Sequence, residues 1–316
     1  MTVPSPARVV ADGPLAADIL ELAADRVQWL PWQVALEGST ESIDAIYTYG
    51  HPNVDGAMLD RLPGLRVISN YGVGVDHIAL AEAAARGIPV GNTPGILDGA
   101  TADMGFTLLL AAARRLVEGD CYARSPEFTV YDPGYLLGRE VHHSKLGIVG
   151  LGRIGWQVAR RARAFDMAVL YCNRHRRADA EREFGARHVS FAELLSQSDY
   201  VMLCCPLTKE TTGLIDAAAL ARMKPTATLI NLARGAVVDT EALTAALERR
   251  QISSAALDVT DPEPLPREHR LLSLSNVIIS PHLGSATVET RHRMAEMSLD
   301  NLFAGLAGRP LPHEVR

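Results

Sequence analysis

The sequence predicts an α/β protein with parallel sheets and two domains. Short, β-rich apolar runs alternate from end to end with longer amphipathic stretches rich in alanine and leucine, which is the pattern of a parallel sheet flanked by helices. The 316 residues exceed one average domain of roughly 100 to 200 residues and suffice for two. The content of 47% hydrophobic and 22% charged residues is that of a globular chain.

The first third of the chain contains four predicted strands, at residues 8–11, 45–49, 66–70 and 88–91. A helix is predicted at 79–86, and Gly87 and Pro89 end it. Residues 99–119 are predicted to form one long helix with a strongly apolar middle. Residues 121–138 are rich in Tyr, Pro and Gly and are predicted to form a long surface loop.

After this loop the alternation of strands and helices begins again. Six more strands are predicted, at residues 146–149, 168–172, 200–205, 228–232, 255–259 and 277–280. A final helix is predicted at 286–306. The same fold class is therefore predicted throughout the chain.

Charge, cysteine content and hydropathy exclude several classes of protein. A net charge of -6 gives no broad attraction for nucleic acid or an anionic membrane. The four cysteines include no Cys-x-x-Cys pair, so neither a disulfide framework nor a metal site is predicted. No basic segment followed by an apolar one opens the sequence, and no stretch reaches the roughly 18 apolar residues of a membrane span. The expected location is the cytoplasm.

Gly150-x-Gly152-x-x-Gly155 stands between a predicted strand and a predicted helix. Glycines at this spacing permit a tight turn, close approach of a pyrophosphate to the backbone, and close packing of the helix on the strand. The N-terminus of the helix then faces the phosphates. Because strand, helix and next strand follow in the required order, the motif predicts dinucleotide binding in preference to a merely glycine-rich turn.

The turn after the next strand predicts which dinucleotide is preferred. An NAD site usually has Asp or Glu about 20 residues beyond the glycines, where this chain has Asn173 and then three arginines. A guanidinium can bind the 2′-phosphate of NADP, which a carboxylate would repel. NADP(H) is therefore the predicted cofactor, held by Asn173, Arg174 and Arg177, and NAD(H) stays open. The alternative is a solvated basic turn before the acidic residues of the next helix.

Three polar segments follow predicted strands of the second group: 231–235 with Arg234, 258–264 with Glu263, and 281–285 with His282. Because the C-terminal ends of parallel strands meet at the same edge of an open sheet, where ligands bind, the three segments are predicted to share one site. Arg234 can form a two-pronged ion pair with a carboxylate. His282 is a candidate general acid or base.

Together these motifs resemble the D-isomer-specific 2-hydroxyacid dehydrogenase family over essentially the whole chain. The segments that carry the resemblance are Gly150-x-Gly152-x-x-Gly155, Asn231-x-Ala233-Arg234-Gly235, Asp258-x-x-x-Pro262-Glu263-Pro264 and Pro281-His282-x-Gly284-Ser285-Ala286-Thr287. Within the family, the chain looks most like glyoxylate/hydroxypyruvate reductases, with bacterial 2-ketogluconate reductases as close relatives. The resemblance implies two Rossmann-like domains: a dinucleotide-binding domain at 99–284, inserted into a flavodoxin-like substrate domain formed by 1–98 and 285–316.

The resemblance also implies a role for the charged groups. Arg234 would bind the carboxylate of a 2-oxo acid and help to polarise the keto oxygen. His282 would give a proton to that oxygen as hydride reaches C2 from the nicotinamide, and Glu263 would bond the other imidazole nitrogen and favour the protonated ring. Asp258 would contact the nicotinamide carboxamide. The alternatives are a simple ion pair for Arg234 and a turn cap for Glu263.

The turn at residues 70–76, in the first third of the chain, contains Val73 and Gly74. The resemblance implies that their backbone amides bind the substrate carboxylate. The alternative is a turn with a structural role only. The further cofactor contacts that the resemblance implies are at Arg153, Ile154, Cys205, Pro206, Thr212, Leu232, Ala233, His282 and Gly284. A homodimer through residues 99–138 is expected, with Tyr131 and Tyr135 standing where such reductases often place tryptophans.

The expected activity is NADPH-preferring reduction of glyoxylate or hydroxypyruvate to the D-2-hydroxy acid. One alternative is a 2-ketogluconate reductase or a 2-oxo acid reductase of broad specificity. Another is a 3-phosphoglycerate dehydrogenase, which would need extra positive charge near the substrate loop. From another class, a dinucleotide-sensing binding protein can use the same fold. The set of Arg234, Glu263 and His282 favours catalysis over sensing.

Overall fold

The computed structural model describes residues 5–315. The chain divides into two compact units, a smaller one formed by residues 5–97 with 287–315 and a larger one formed by Asp98–Ala286. Each unit is built on one parallel β-sheet with helices. The predicted α/β class with two parallel-sheet domains is confirmed.

Within the described residues the strands follow in chain order: β1 (Ala7–Ala11), β2 (Val27–Pro31), β3 (Ala45–Thr48), β4 (Val67–Asn70), β5 (Val90–Gly91), β6 (Lys145–Val149), β7 (Ala168–Cys172), β8 (Arg187–His188), β9 (Tyr200–Leu203), β10 (Thr228–Asn231), β11 (Ser254–Leu257) and β12 (Val277–Ile279). The first five lie in the smaller unit and the other seven in the larger one.

The α-helices are α1 (Ala17–Ala23), α2 (Gln33–Glu37), α3 (Gly56–Asp60), α4 (Leu80–Ala85), α5 (Asp98–Ala113), α6 (Leu116–Ala123), α7 (Arg153–Ala164), α8 (Ala178–Phe184), α9 (Phe191–Gln197), α10 (Ala217–Arg222), α11 (Thr240–Glu248) and α12 (Val288–Leu306). In the part of the chain that the structure describes, no helix combines the length and apolar character needed to cross a membrane.

Side-chain caps mark the starts of five of these helices. The capping oxygen accepts a hydrogen bond from the backbone amide three residues later, which satisfies one of the unpaired amides of a helix N-terminus. The capping residues are Asp55, Ser190, Asp216, Asp239 and Thr287. These helices therefore begin where the local sequence supplies an acceptor.

The sheet of the smaller unit has the strand order β2-β1-β3-β4-β5. Helix α12, from the far end of the sequence, packs on it. The Tyr47 hydroxyl lies 2.7 Å from the Ser298 hydroxyl, and Ser69 donates a 2.7 Å hydrogen bond to the Ser298 carbonyl. A Cβ at Gly305 would lie only 2.4 Å from Cβ of Val67, so the helix needs glycine there to approach β4 this closely.

The sheet of the larger unit has the order β12-β11-β10-β9-β6-β7-β8. The chain runs outward from β6 through β7 to β8, then returns to β9 on the other side and continues to β12. The direction of the chain therefore reverses between β6 and β9, and open α/β sheets bind ligands at the C-terminal ends of the strands beside such a switch point.

Both faces of the larger sheet are covered. Val201 and Leu203 of β9 belong to one buried cluster, and the alternate residues Tyr200 and Met202 belong to another. Strands buried on both faces read as continuous apolar runs, which explains why β9 to β11 were recognisable in the sequence.

Two edge strands and one helix break were missed by the sequence analysis. Strand β2 reads Val-Gln-Trp-Leu-Pro and β8 has two residues, and both lie at a sheet edge where one side is unpaired. The predicted single helix 99–119 is wrong. Arg115 has a left-handed φ of 51° and separates α5 from α6, and its guanidinium bonds Glu118 at 2.7 and 2.9 Å.

Candidate active site

The loop between β6 and α7 has room only for glycine at two of the three glycine positions of the predicted dinucleotide-binding motif. Gly150 has a φ of 93°, and a Cβ there would lie 2.6 Å from the backbone of Cys205. A Cβ at Gly155 would lie 2.5 Å from the Gly150 carbonyl oxygen. A Cβ at Gly152 would meet no heavy atom within 4 Å. The loop therefore packs closely against the backbone at Gly150 and Gly155 and leaves open space at Gly152. Close approach of a pyrophosphate requires such open space.

Asn173, at the end of β7, fastens this loop. Its Oδ1 accepts a 2.6 Å hydrogen bond from the Leu151 amide, and its Nδ2 donates to the Leu151 carbonyl at 3.3 Å. The sequence pattern predicts Asn173 as a contact for the cofactor. The geometry gives it a further task, because both ends of its amide hold the residue between Gly150 and Gly152.

Arg153 is the first residue of α7 and places a positively charged side chain next to the glycine loop. Its Nε donates a 2.9 Å hydrogen bond to Oδ2 of Asp98, and the Arg153 side chain is 69% exposed while that of Asp98 is 11% exposed. Asp98 opens α5 and was not singled out in the sequence, where it has no motif of its own. It holds a guanidinium at the N-terminus of the helix that faces the predicted phosphates.

The predicted basic turn lies directly after β7. Arg174 is exposed, whereas Arg177 is half-buried and donates a 3.0 Å hydrogen bond from Nη1 to the Leu151 carbonyl. Arg177 therefore lies against the glycine loop. Of the other predicted contacts, Ile154 is half-buried against the core, and Pro206 and Thr212 are exposed at the loop after β9.

Cys205 follows β9 beside Gly150 and is buried. Burial disfavours the thiolate and raises the pKa of Cys205 to about 11. Burial also raises the pKa of the neighbouring Cys204. Burial therefore favours the neutral form of both thiols, which fits packing against the glycine loop better than a role as an activated nucleophile.

Arg234 lies on a turn that the side chain of Asn231 organises. Asn231 Oδ1 accepts a 3.0 Å hydrogen bond from the Ala233 amide, and its Nδ2 donates to the Arg234 carbonyl at 2.9 Å. Leu232 and Ala233 are buried, and Arg234 is half-buried. The turn is held in place because both ends of the Asn231 side-chain amide are hydrogen-bonded within it.

The next residue packs this turn against the segment that carries Glu263. A Cβ at Gly235 would lie 1.9 Å from the backbone carbonyl oxygen of Thr260, so only glycine allows the two turns to approach this closely. The Thr260 amide in turn donates to Glu263 Oε2 at 3.4 Å. Arg234 and Glu263 are therefore positioned by backbones in direct contact.

Asp258, at the end of β11, holds the loop that carries His282. It is buried, and its Oδ1 accepts hydrogen bonds from the Ser280 hydroxyl at 2.6 Å and the Leu283 amide at 2.8 Å. Its Oδ2 accepts from the Gly284 amide at 2.7 Å. The family resemblance implies that Asp258 contacts the cofactor. Its three bonds also make it the anchor of the His282 loop, which no spacing pattern indicated.

His282 and Glu263 are brought together, as predicted. The Nδ1 atom of His282 lies 2.8 Å from Glu263 Oε1, and the two side chains are 30% and 39% exposed. His282 has a φ of 57°, a left-handed backbone conformation that is uncommon outside glycine. Its amide donates to the Asp258 carbonyl at 2.9 Å, so the conformation is fixed by the same residue that anchors the loop.

Because a carboxylate only accepts, Nδ1 carries the proton of this hydrogen bond. The neutral imidazole then accepts at Nε2, and the protonated imidazole donates there. The pair can therefore receive or release one proton at Nε2.

In the smaller unit, the turn after β4 is held through its carbonyl groups. Asn70 Nδ2 donates to the carbonyls of Gly72 and Gly74 at 2.9 and 3.0 Å, and Asn92 Nδ2 donates to the Val73 carbonyl at 2.8 Å. The amides of Val73 and Gly74 are the remaining hydrogen-bonding groups of these two residues. The turn is thus preorganised for an acceptor such as a carboxylate.

Metal-ligating side chains do not gather in groups of three or more anywhere in residues 5–315. By their chemistry, the groups described above can bind an anion, hold one exchangeable proton and accommodate a pyrophosphate at the glycine loop.

Residues 106–284 match the family model described as D-isomer specific 2-hydroxyacid dehydrogenase, NAD binding domain. Glyoxylate reductase of Thermococcus gammatolerans is 47% identical over 287 residues, which are 90% of this chain and 85% of that protein. Glyoxylate reductase of Pyrococcus furiosus is 46% identical over the same share of both chains.

Solved structures with the same fold include the NADPH-dependent glyoxylate/hydroxypyruvate reductase of Sinorhizobium meliloti in complex with NADP and malonate. It has a TM-score of 0.88 and 30% identity, covering 98% of this chain and 97% of that one. A protein of Thermus thermophilus has a TM-score of 0.88 and 42% identity, covering 98% of this chain and all of that one.

Proposed function

Because the chain belongs to the D-isomer specific 2-hydroxyacid dehydrogenase family, we propose that it reduces glyoxylate or hydroxypyruvate to the D-2-hydroxy acid with NADPH as the preferred cofactor. The chain is an NAD(P)-dependent oxidoreductase of 2-oxo acids. We propose in addition the choice of substrate, the preference for NADPH and the roles of the residues.

The hydrogen bond between His282 Nδ1 and Glu263 Oε1, at 2.8 Å, carries this proposal. Reduction of a 2-oxo acid adds one hydride to C2 and one proton to the keto oxygen. Glu263 accepts a hydrogen bond from Nδ1 and thereby fixes the orientation of the imidazole. Protonated His282 then releases its Nε2 proton to the keto oxygen, and in the oxidative direction the neutral ring takes it back.

Arg234 supplies the charge that a 2-oxo acid needs. Its guanidinium can pair with the substrate carboxylate through two parallel hydrogen bonds, and it draws negative charge toward the keto oxygen as hydride arrives. The amides of Val73 and Gly74 are proposed as further donors to the carboxylate. Support for this role of Arg234 comes from Asn231 and Gly235, which both fix the turn that carries it; a simple ion pair is the alternative.

The nicotinamide cofactor, when bound, supplies the hydride. The glycine loop with Arg153 would hold its pyrophosphate, and Arg174 and Arg177 would hold a 2′-phosphate. Support for NADPH comes from residue 173, where an asparagine rather than a carboxylate ends β7, and from the guanidinium of Arg177 against the glycine loop. A structural relative from Sinorhizobium meliloti is described as NADPH-dependent.

A spectrophotometric panel tests this function. The purified chain is mixed with NADPH or NADH and with glyoxylate, hydroxypyruvate, pyruvate or 2-ketogluconate, and loss of the reduced cofactor is followed. We expect kcat/KM to be highest for glyoxylate or hydroxypyruvate with NADPH. A higher kcat/KM with NADH would overturn the cofactor preference, and a higher value for 2-ketogluconate would overturn the substrate assignment.

We also propose that a second copy of the chain covers the segment 116–137. Seven large apolar side chains of this segment are exposed: Leu116, Val117, Phe128, Val130, Tyr131, Tyr135 and Leu137. Exposed apolar side chains gathered in one segment mark an interaction surface. A homodimer is the occupant proposed here because most soluble oligomers consist of identical chains, and the commonest form pairs identical surfaces about a two-fold axis.

Replacing Leu137, 71% exposed, with Asp is expected to shift the chain from dimer to monomer, since it places a charge in the apolar surface. Analytical ultracentrifugation measures the mass. Val288 is 84% exposed and lies in α12 of the smaller unit, so V288D adds the same charge elsewhere and should leave the mass unchanged. A monomeric wild-type chain, or a dimeric L137D variant, contradicts the proposal.

A further inference from the structure

Two of the three arginines after β7 are already paired with carboxylates of the chain itself. Arg177 donates from Nε and Nη2 to Asp179 Oδ1 and Oδ2, at 3.0 and 2.8 Å. Arg176 donates from Nε and Nη2 to Glu181 Oε1 and Oε2, at 3.1 and 2.7 Å. The positive charge that the sequence shows at this turn is therefore largely balanced in the fold.

The two pairs differ in where they lie. Arg177 is anchored to the glycine loop by the 3.0 Å bond from Nη1 to the Leu151 carbonyl, and its guanidinium lies 5.3 Å from the ring centroid of Trp156. The side chain of Arg176 is 70% exposed, against 34% for Arg177. Arg177 is thus the preorganised cation beside the loop, and Asp179 occupies its two-pronged edge.

A guanidinium edge can form two parallel hydrogen bonds with one carboxylate or with one phosphate, but not with both together. We propose that Asp179 is an internal competitor for the 2′-phosphate of NADP(H), and that it thereby limits how strongly the enzyme distinguishes NADP(H) from NAD(H). This inference rests on the proposed use of Arg177 as a ligand of the 2′-phosphate.

The competition persists at neutral pH. The hydrogen bond from Arg177 lowers the pKa of Asp179 to about 2, so the carboxylate is charged throughout the physiological range. Binding of a 2′-phosphate must displace Asp179 from Arg177 and leave the displaced negative charge near another one. The 2′-hydroxyl of NAD(H) is uncharged and meets no such opposition.

The test is the variant Asp179→Asn, in which the side chain keeps its shape and loses its charge. Isothermal titration measures the Kd of NADP⁺, NAD⁺ and adenosine 2′,5′-bisphosphate for the wild type and the variant, without any turnover. We expect D179N to bind NADP⁺ and the bisphosphate about tenfold more tightly, the size of effect expected when one like charge is removed beside a phosphate at a partly exposed site. The Kd of NAD⁺ should change by less than about twofold.

Glu181→Gln is the matched control, because it removes the same charge two residues further along and frees Arg176 instead of Arg177. We expect E181Q to tighten binding of the bisphosphate by less than about twofold. Thermal melting without ligand verifies that both variants are folded. Equal tightening by both variants would mean a general charge effect and would overturn the inference, as would the absence of any tightening by D179N.

The outcome also separates this inference from the preference proposed above. If the wild type binds NAD⁺ more tightly than NADP⁺ while D179N selectively tightens the bisphosphate, the proposed preference fails and Asp179 is the reason. If the wild type prefers NADP⁺ and D179N changes nothing, the inference about Asp179 fails alone.

Discussion

Replacing His282 with Asn is expected to lower kcat for reduction of the 2-oxo acid by about a thousandfold, within the range of roughly 10² to 10⁴ that general acid catalysis contributes. Asparagine cannot release a proton to the keto oxygen, yet it tolerates a φ of 57° better than most residues. The backbone of the loop is held by Asp258 rather than by the imidazole. The Kd of NADPH should therefore stay within about twofold of the wild-type value.

Steady-state kinetics and a cofactor titration measure the two quantities. His142 is the matched control, because its side chain is 55% exposed and lies in the segment before β6. H142N should keep wild-type kcat. A kcat for H282N within tenfold of wild type would mean that another group donates the proton, and a large loss of NADPH affinity would make His282 a binding residue instead.

Gly235→Ala is expected to cause the second large effect. The added Cβ would lie 1.9 Å from the Thr260 carbonyl oxygen, so the turn of Arg234 and the turn leading to Glu263 must move apart. A displacement of about 1 Å at a catalytic group can cost roughly a hundredfold in rate, and we expect a loss of that size in kcat/KM. Overpacking against backbone should also lower the free energy of unfolding by about 3 kcal/mol.

Kinetics and denaturant unfolding of G235A measure both effects. Gly119→Ala is the control, since a Cβ at Gly119 in α6 meets no heavy atom within 4 Å and alanine favours a helix. G119A should match or exceed wild-type stability and keep wild-type kcat/KM. If G235A keeps full activity, contact between the two turns does not position Arg234 and Glu263.

The elements that the sequence predicted well are those whose patterns are local. The buried strands read as apolar runs, and the glycine motif carries its own spacing. Strand β2 could not be recognised, because an edge strand is exposed along one side and its Val-Gln-Trp-Leu-Pro run mixes polar and apolar residues. The helix break at Arg115 could not be recognised either. A positive φ at a helix end is usually marked by glycine, whereas an arginine gives no such signal in the sequence.

At the candidate site, the sequence identified the residues that bear charge but not the residues that hold them. The pairing of Arg177 with Asp179 depends on the turn into α8, and the three hydrogen bonds of Asp258 depend on the register of β11 and β12. Asp98 reaches Arg153 from a position 55 residues earlier. Contacts of this kind follow from the fold, and no spacing in a single sequence encodes them.

The packing of α12 on β3 and β4 has a consequence for the order in which the chain assembles during translation. Residues 5–97 leave the ribosome before Ser298, so Tyr47 and Ser69 find their partner only when Ser298 emerges. The whole of Asp98–Ala286 is synthesised in between and can form its own core meanwhile. The sheet of the smaller unit is thus completed only after the larger unit has been synthesised, and substitutions in α12 are expected to destabilise that sheet.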